Sequence, residues 1–375
     1  MLTISMSERK PLLHIELLRI IAIFLVILTH TGTYGYVHCN LYEGEGIEYW
    51  FFLYLTLIIK TAVPIFFMIS GAVLLGKEES IKNLYKKRVL KMVLVLILFS
   101  LITYIYFVCT GSIHNYSIED FLTRLYTNKI STPYWFLYAY IAFLMLLPIL
   151  RTIAKNLSSK LMMNILVLYL AIQTVTIIQY AISEGTLEYT DDFYLFITQN
   201  IFIYPLLGYY IENRLPEERV TRSLCLKMTQ ASFIALTVCC IMTWYHCELI
   251  GEYKENTCQI FFITLTIVPA TAIYLWVKYL INKHRPRPCM SKAIIIVGSA
   301  SFGIYLLERI CRLETFGVYT FFSQFMDMFL ATLLWVMAAF LMGLVITIVM
   351  QHIPGLNWLL ANSNRKILIC WKRKN

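Results

Sequence analysis

The chain has 375 residues, of which 59% are hydrophobic and 14% are charged, and its mean hydropathy is positive. This composition differs from that of a soluble globular protein and indicates that much of the chain is surrounded by lipid. The net charge of +10 at pH 7 would also suit a nucleic-acid partner, so the placement of the basic residues decides what that charge means.

Apolar stretches of roughly 20 residues recur along the chain, and each is long enough to cross a bilayer as a helix. Strands of a membrane barrel would instead be about ten residues long with alternating polarity. The sequence therefore predicts an all-α integral membrane protein, with one domain over residues 1–375 and about ten transmembrane helices, at residues 15–37, 49–75, 89–110, 133–151, 161–182, 193–212, 227–247, 258–281, 293–312 and 325–350.

The basic residues alternate between the two sides of this predicted arrangement. Most of the 32 Lys and Arg residues fall in every second connection, beginning with the N-terminus. Basic connections remain in the cytoplasm, so both termini are expected to be cytoplasmic and no nucleic-acid partner is expected. The first apolar run exceeds the apolar core of a cleavable signal peptide, so it is expected to be the first span.

The first predicted helix carries the strongest functional signal. Ten residues separate Arg19 from His30. Eleven helical steps of about 100° return to within roughly 20° of the starting direction while climbing about 16.5 Å, so the two side chains share one face. An arginine in hydrocarbon costs at least about 2.5 kcal/mol, so this face must line a cavity or another helix. Glu16, three residues before Arg19, can pair with it.

His30 is a candidate general base, since histidine exchanges protons near neutral pH. The alternative interpretation, a packing histidine hydrogen-bonded across helices, stays open. The six other histidines are expected in loops or at span ends, in solvated or interfacial positions: His14, His38, His114, His246, His284 and His352.

Three further features of the sequence invite structural predictions. Lys60 and Pro64 in the second span indicate a polar, interrupted region, because Pro64 frees a backbone carbonyl and a buried ammonium needs a partner or a cavity. Ser117 precedes two acidic residues and predicts the start of a short helix between spans three and four. Cys247 and Cys258 flank one connection and could pair, whereas no cysteine or histidine spacing indicates a metal site.

Several motifs in order resemble membrane-bound acyltransferase family 3, whose members include O-acetyltransferases of bacterial surface polysaccharides. The Arg19 and His30 spacing resembles the family's first-helix signature. Further matches follow in the family's order, at Val63 to Gly71, Lys86 to Arg88, Tyr134 to Pro148, Ser301 to Leu307 and Ile353 to Leu356.

The resemblance implies a membrane O-acyltransferase in the cell membrane. Its co-substrate would be an acyl-CoA, most simply acetyl-CoA, with no resident cofactor and no metal. The acceptor would be a hydroxyl of a cell-surface or lipid-linked sugar. His30 and Arg19 would take part in catalysis, and Arg19, Lys86, Lys87 and Arg88 would lie at the donor. For the three consecutive basic residues, a topology signal that touches anionic lipid stays open as the alternative. The acceptor or acyl pocket would include Lys60, Trp135, Tyr138 and Tyr305, and a structural ion pair with a buried acid stays open for Lys60.

The chain departs from the family at Glu308, where many relatives carry a histidine. Glu308 can orient His30 and stabilise its cation, in the manner of a carboxylate behind a catalytic base. It can equally form an interfacial ion pair with Arg309 or Arg312, and both interpretations stay open.

A transporter is the alternative function. An exporter or flippase of a polysaccharide precursor would also use intramembrane charged residues such as Arg19, Lys60, His30 and Glu308 to line its path. The absence of visible inverted repeats and the ordered motif matches favour the acyltransferase.

Overall fold

The fold is described by a computed structural model that covers residues 12–31, 44–182, 200–251, 253 and 265–360. Its regular elements in these ranges are all helical, as predicted. They are α1 (Leu13–His30), α2 (Gly46–Ile59), α3 (Ala62–Leu74), α4 (Ile81–Leu84), α5 (Leu90–Cys109), α6 (Ile118–Tyr126), α7 (Trp135–Lys155), α8 (Ser159–Ile182), α9 (Asn200–Asn213), α10 (Arg222–Ile250), α11 (Ile267–Lys283), α12 (Pro288–Glu314), α13 (Phe316–Phe322), α14 (Met328–Met350) and α15 (Leu356–Leu360).

Eight of the described helical segments are long and apolar enough to cross a membrane. They correspond to the predicted spans except the sixth and eighth, which match α9 and α11 with 14 and 17 residues. The many-span, all-helical architecture predicted from the sequence is thus confirmed.

The second span is interrupted where Lys60 and Thr61 separate α2 from α3. Pro64 explains the break, because proline has no N–H to donate to the carbonyl of Lys60 four residues earlier and its ring crowds that carbonyl. Thr61 Oγ1 donates to the carbonyl of Ile58 at 2.6 Å, which closes the end of α2.

The third span contains a wide turn. A π-helical turn at Tyr85–Val89 joins α4 to α5, and this turn carries three consecutive basic residues, Lys86, Lys87 and Arg88. Single π-helical turns of this kind occur often at functional sites.

The short helix predicted after Ser117 is present as α6. The Ser117 hydroxyl accepts a hydrogen bond from the Asp120 N–H at 3.0 Å, which is the expected N-cap. Tyr104 of α5 donates to the Asp120 carboxylate at 2.7 Å and ties α6 to the bundle.

Helices α3 and α9 pack backbone against backbone. A Cβ atom added to Gly71 would lie 1.9 Å from the Pro205 carbonyl oxygen, and one added to Gly208 would lie 1.9 Å from that of Met68. Only glycine permits this approach, which resembles the small-residue crossings of other membrane helices.

Helix α1 lies at the centre of the bundle and contacts α2, α3, α11, α12 and α14. It runs parallel to α12. Near its beginning Glu16 packs against Gly298, and at its end His30 meets Glu308, so both helices advance in the same direction. This parallel pair carries the polar residues that the sequence singled out.

Candidate functional site

The polar face of α1 begins with a charged pair. Arg19 Nη1 donates to Glu16 Oε1 at 2.7 Å, and both side chains are mostly buried. Gly298 of α12 makes room for Glu16, since a Cβ atom there would lie 2.7 Å from its Cβ, backbone oxygen and Oε2 atoms. The sequence predicted this pair but not its glycine neighbour.

Arg19 lines a cavity of about 480 Å³. That volume lies within the range of about 300–1,000 Å³ typical of ligand sites. Helices α1, α3, α7 and α12, the π-helical turn and α15 all contribute to its wall, which comprises Arg19, Phe66, Ile69, Ser70, Val73, Leu74, Lys77, Glu79, Lys87, Arg88, Lys91, Met92, Phe136, Tyr140, Leu144, Ser301, Phe302, Tyr305, Trp358, Leu359 and Leu360.

One end of the cavity is strongly basic. We call it the basic mouth, formed by the lining residues Lys77, Glu79, Lys87, Arg88 and Lys91. Its four cations outnumber its single carboxylate, Glu79, whereas the nearby Arg19 is paired with Glu16. The excess of cations means that the cavity attracts anions.

Glu79 organises the basic mouth. Its Oε2 accepts from Arg88 Nε at 2.8 Å and from Arg151 Nη2 at 3.3 Å. Partial burial alone would raise the pKa of Glu79, but its hydrogen bonds and charge pairing with Arg88 and Arg151 outweigh burial and lower the pKa. Glu79 is therefore a stable carboxylate at neutral pH that fixes the direction of two guanidinium groups.

The π-helical turn decides which basic residues face the cavity. Lys87 and Arg88 line it, whereas the adjacent Lys86 is exposed and lies outside. Successive residues of a helix point about 100° apart, so three in a row cannot all face one cavity. Lys86, predicted at the donor, therefore lies outside this cavity wall, whereas Lys91, one turn beyond Lys87, is part of it.

The other end of the cavity is apolar and closes on three aromatic rings. We call Phe66 of α3, Phe136 of α7 and Tyr305 of α12 the aromatic ceiling. The ring centroids of Phe66 and Phe136 lie 5.8 Å apart, and those of Phe136 and Tyr305 lie 5.6 Å apart. These separations are typical of packed aromatic pairs.

His30 and Glu308 lie beyond the ceiling. Glu308 follows Tyr305 by one turn of α12, its side chain is fully buried, and its Oε2 lies 3.5 Å from His30 Nδ1. Its other oxygen, Oε1, accepts a hydrogen bond from Arg312 Nε at 2.8 Å. Glu308 thus contacts both partners considered from the sequence, His30 and Arg312, and it does so as a buried carboxylate.

This arrangement suits a general base. A carboxylate beside Nδ1 favours the tautomer that carries its proton on that nitrogen and leaves Nε2 as the acceptor. The gap of 3.5 Å exceeds a normal hydrogen bond, and contacts of catalytic groups often shorten when substrate binds. One fifth of the His30 side chain remains exposed.

Two hydrogen bonds fix the position of Glu308 relative to the aromatic ceiling. Tyr305 donates to the carbonyl of Pro133 at 2.6 Å, and Tyr134 donates to the carbonyl of Leu306 at 2.8 Å. These reciprocal bonds join the start of α7 to the turn of α12 that precedes Glu308. They fix the height of the carboxylate relative to the cavity.

The chain matches the model of an acyltransferase domain, that of acyltransferase family 3, over residues 12–352. The protein belongs to acyltransferase family 3. No curated protein and no solved structure matches the chain.

Membership of acyltransferase family 3 together with the helical bundle makes this protein a multi-pass membrane acyltransferase. The match extends from the residue before α1 to the residues just after α14. It therefore includes the basic mouth, the ceiling and the His30–Glu308 pair.

Two aromatic residues predicted for the acyl pocket lie elsewhere. Helix α7 turns Phe136, Tyr140 and Leu144 to the cavity, a stripe with four-residue spacing. Trp135 is 42% exposed, and the Tyr138 hydroxyl donates to the carbonyl of Leu125 in α6. Trp135 and Tyr138 thus lie outside this cavity wall, whereas Tyr305, predicted for the same pocket, is part of it.

Lys60 also lies outside the cavity wall. It precedes the ceiling residue Phe66 by six residues, which corresponds to roughly 9 Å along the helix axis away from the basic mouth. Lys60 belongs to the break between α2 and α3 and is half-buried there.

The sequence missed a buried charged cluster at the start of α1. His14 Nε2 lies 3.0 Å from Glu212 Oε1, while Lys278 Nζ lies 3.2 Å from Glu212 Oε2 and donates to the Ile211 carbonyl. His14 is therefore buried, contrary to its expected position, and His246 is buried as well. The intramembrane charges Glu212 and Lys278 were the signal in the sequence for such a pair.

Two predictions from the sequence concern a metal site and a cysteine pair. No cluster of three or more His, Cys, Asp or Glu side chains that could hold a metal occurs among the residues described. Cys258 lies outside the described residues, so its pairing with Cys247 stays a prediction.

Proposed function

We propose that this protein transfers an acetyl group from cytoplasmic acetyl-CoA to a hydroxyl of a cell-surface or lipid-linked sugar, in the cell membrane. The observation that carries the proposal is the cavity's arrangement, with a basic mouth at one end and His30 and Glu308 just beyond the aromatic ceiling at the other.

The basic mouth suits the phosphates of the donor. Arginine binds phosphate oxygens through paired N–H groups, and lysine supplies a mobile point charge. Lys77, Lys87, Arg88 and Lys91 would hold the charged head, with Arg19 as the deepest cation. The apolar wall beyond Arg19 suits the pantetheine arm, which carries the thioester towards the ceiling.

His30 would act on the acceptor. Its Nε2 takes the proton of the attacking hydroxyl, the new C–O ester bond forms, and the C–S bond of the thioester breaks. The CoA thiolate leaves and is reprotonated by solvent or by the histidine. Glu308 stabilises the imidazolium cation formed between these steps, since an anion beside a cation lowers its energy. Direct transfer and an acyl-enzyme intermediate are both compatible with these roles.

The basic connections support a direction of transfer. The basic mouth lies where α3 ends and α5 begins, in one of the lysine-rich connections that the positive-inside rule assigns to the cytoplasm. The mouth would then open to cytoplasmic acetyl-CoA, both termini would be cytoplasmic, and His30 would lie towards the outer leaflet.

The proposal is tested by following labelled acetyl groups. Membrane vesicles that contain the protein are incubated with [14C]acetyl-CoA, and radioactivity is measured in the lipid and polysaccharide fractions before and after mild alkali. We expect alkali-labile label, because oxygen esters hydrolyse under conditions that leave amides intact. The His30→Gln variant, at equal abundance, should transfer no label.

Two results would overturn the proposal. Alkali-stable label would exclude an oxygen ester. Equal labelling in vesicles with and without the protein would show that the protein does not transfer acetyl groups. Accumulation of unmodified glycolipid on one side of the vesicle would then favour a transporter.

A further inference from the structure

The end of the cavity at the aromatic ceiling bears on the length of the acyl group. The charged head of a CoA thioester is attracted to the basic mouth, so its acyl end, the farthest part of the molecule, lies at the aromatic ceiling. The rings of Phe66, Phe136 and Tyr305 form this end, and Phe302 stacks beside Tyr305 with a centroid distance of 6.4 Å. The ceiling is therefore the surface that an acyl chain meets.

The three rings differ in how firmly they are held. The Tyr305 hydroxyl is hydrogen-bonded to the Pro133 carbonyl, and its side chain is buried. Phe136 has no polar group and is held by packing, in which its ring contacts both neighbours of the ceiling as well as Phe67 and Tyr140. Phe136 is thus the central ring of the ceiling, packed between Phe66 and Tyr305.

We propose that the aromatic ceiling selects the acyl group by length, with Phe136 as the specificity-determining residue. This inference rests on the proposed function and assigns the substrate class more closely, as a thioester with a short acyl chain. A short acyl group fits below or between the rings and is delivered to His30. A longer chain must displace Phe136 and break its packing with Phe66 and Tyr305.

The chain supplies a matched control in Phe143. Phe143 lies on the same helix as Phe136, seven residues further on. Both rings pack against Phe67, with a centroid distance of 5.9 Å for Phe143 and 5.3 Å for Phe136. Phe143 is fully buried and is not part of the cavity wall. Phe143→Ala therefore removes comparable packing without enlarging the end of the cavity.

The experiment compares wild type, Phe136→Ala and Phe143→Ala as purified full-length proteins. Release of free CoA is measured with acetyl-, butyryl- and hexanoyl-CoA, and thermal stabilisation by each thioester is measured in parallel. If either alanine variant does not fold, the pair Phe136→Leu and Phe143→Leu replaces it. The result of interest is the ratio of kcat/KM for hexanoyl-CoA to that for acetyl-CoA.

Wild type should prefer acetyl-CoA, and Phe136→Ala should raise the hexanoyl-to-acetyl ratio by about tenfold or more, since one methylene in an apolar pocket already changes kcat/KM about 10- to 200-fold. Phe143→Ala should leave the ratio within about twofold. A ratio unchanged by Phe136→Ala, or shifted equally by both variants, would refute the length filter while leaving acetyl transfer intact. Absence of both stabilisation and CoA release with every thioester in wild type would instead refute the proposed function, and the filter with it.

Discussion

Glu308 places one carboxylate oxygen 3.5 Å from Nδ1 of His30 and accepts a hydrogen bond from Arg312 with the other. The carboxylate is fully buried, so its charge acts through a medium of low polarity, in which electrostatic interactions are strong. His30 and Glu308 reach each other because α1 and α12 run parallel. The pair is thus a product of helix direction as well as of residue type.

Replacing Glu308 by glutamine keeps the shape of the side chain and removes its charge. We expect kcat to fall about 10- to 100-fold with little change in KM for acetyl-CoA, because partners that orient a functional histidine contribute effects of this size. Steady-state CoA release measures both constants. Glu314→Gln is the control, since the Glu314 carboxylate lies on the same helix and accepts a hydrogen bond from Tyr106 instead of contacting His30. Equal losses of kcat in both variants would contradict the role of Glu308.

Lys86 and Lys87 are adjacent, carry the same charge and differ in whether they face the cavity. Lys87→Gln should raise KM for acetyl-CoA several-fold, because a cation is lost from the phosphate-binding mouth, while Lys86→Gln should change it less than about twofold. Titration of CoA binding at two salt concentrations checks this difference. If Lys86→Gln weakens binding as much as Lys87→Gln, the placement of the π-helical turn at the mouth is wrong.

Gly208 permits the close approach of α9 to α3. Gly208→Ala would place a methyl carbon 1.9 Å from the backbone oxygen of Met68, so the helices must separate. Overpacking of this kind costs about 1–3 kcal/mol and sometimes more, and the thermal midpoint in detergent should fall clearly. Gly317→Ala is the matched substitution, because open space surrounds its Cβ position. A midpoint unchanged in Gly208→Ala would contradict the crossing.

Glu79 makes the stability of the basic mouth depend on pH. Its pKa is lowered below the ordinary value of 4.5, because its pairing with Arg88 and Arg151 outweighs burial. A carboxyl whose pKa is lower in the folded state stabilises that state above the unfolded pKa and loses this contribution as pH falls through the folded pKa. The difference in thermal midpoint between wild type and Glu79→Gln should therefore be constant from pH 7 to 5 and shrink below about pH 4.5. A difference that does not change with pH over this range would show that Glu79 acts through packing alone.

The sequence predicted the features that depend on one helix at a time. The apolar spans, the shared face of Arg19 and His30, the pairing of Glu16 with Arg19 and the N-cap at Ser117 all follow from local spacing and hydropathy. The order of the family motifs along the chain indicated the acyltransferase family, which the family match confirms. The sequence named His30 and Arg312 as alternative partners of Glu308 and could not choose between them, and the structure shows contacts with both.

Features that depend on helix rotation or on distant partners were harder to predict. An uncertainty of one residue in helical phase turns a side chain by about 100°. The sequence therefore could not show that Lys91, Phe136 and Tyr140 line the cavity and that Lys86, Trp135 and Tyr138 do not. The contact of His14 with Glu212 joins residues 198 positions apart. No local pattern specifies such a contact.

The central claim is that one cavity binds acetyl-CoA and delivers it to His30, and the most direct measurement is CoA release by purified protein as a function of acetyl-CoA concentration. Wild type, Arg19→Gln and His30→Gln are compared at equal folded concentration. We predict that Arg19→Gln chiefly raises KM, while His30→Gln lowers kcat at least about 100-fold and still binds CoA, as expected for loss of a general base. If His30→Gln retains the wild-type kcat, or wild type releases no CoA with an envelope acceptor present, the account is contradicted.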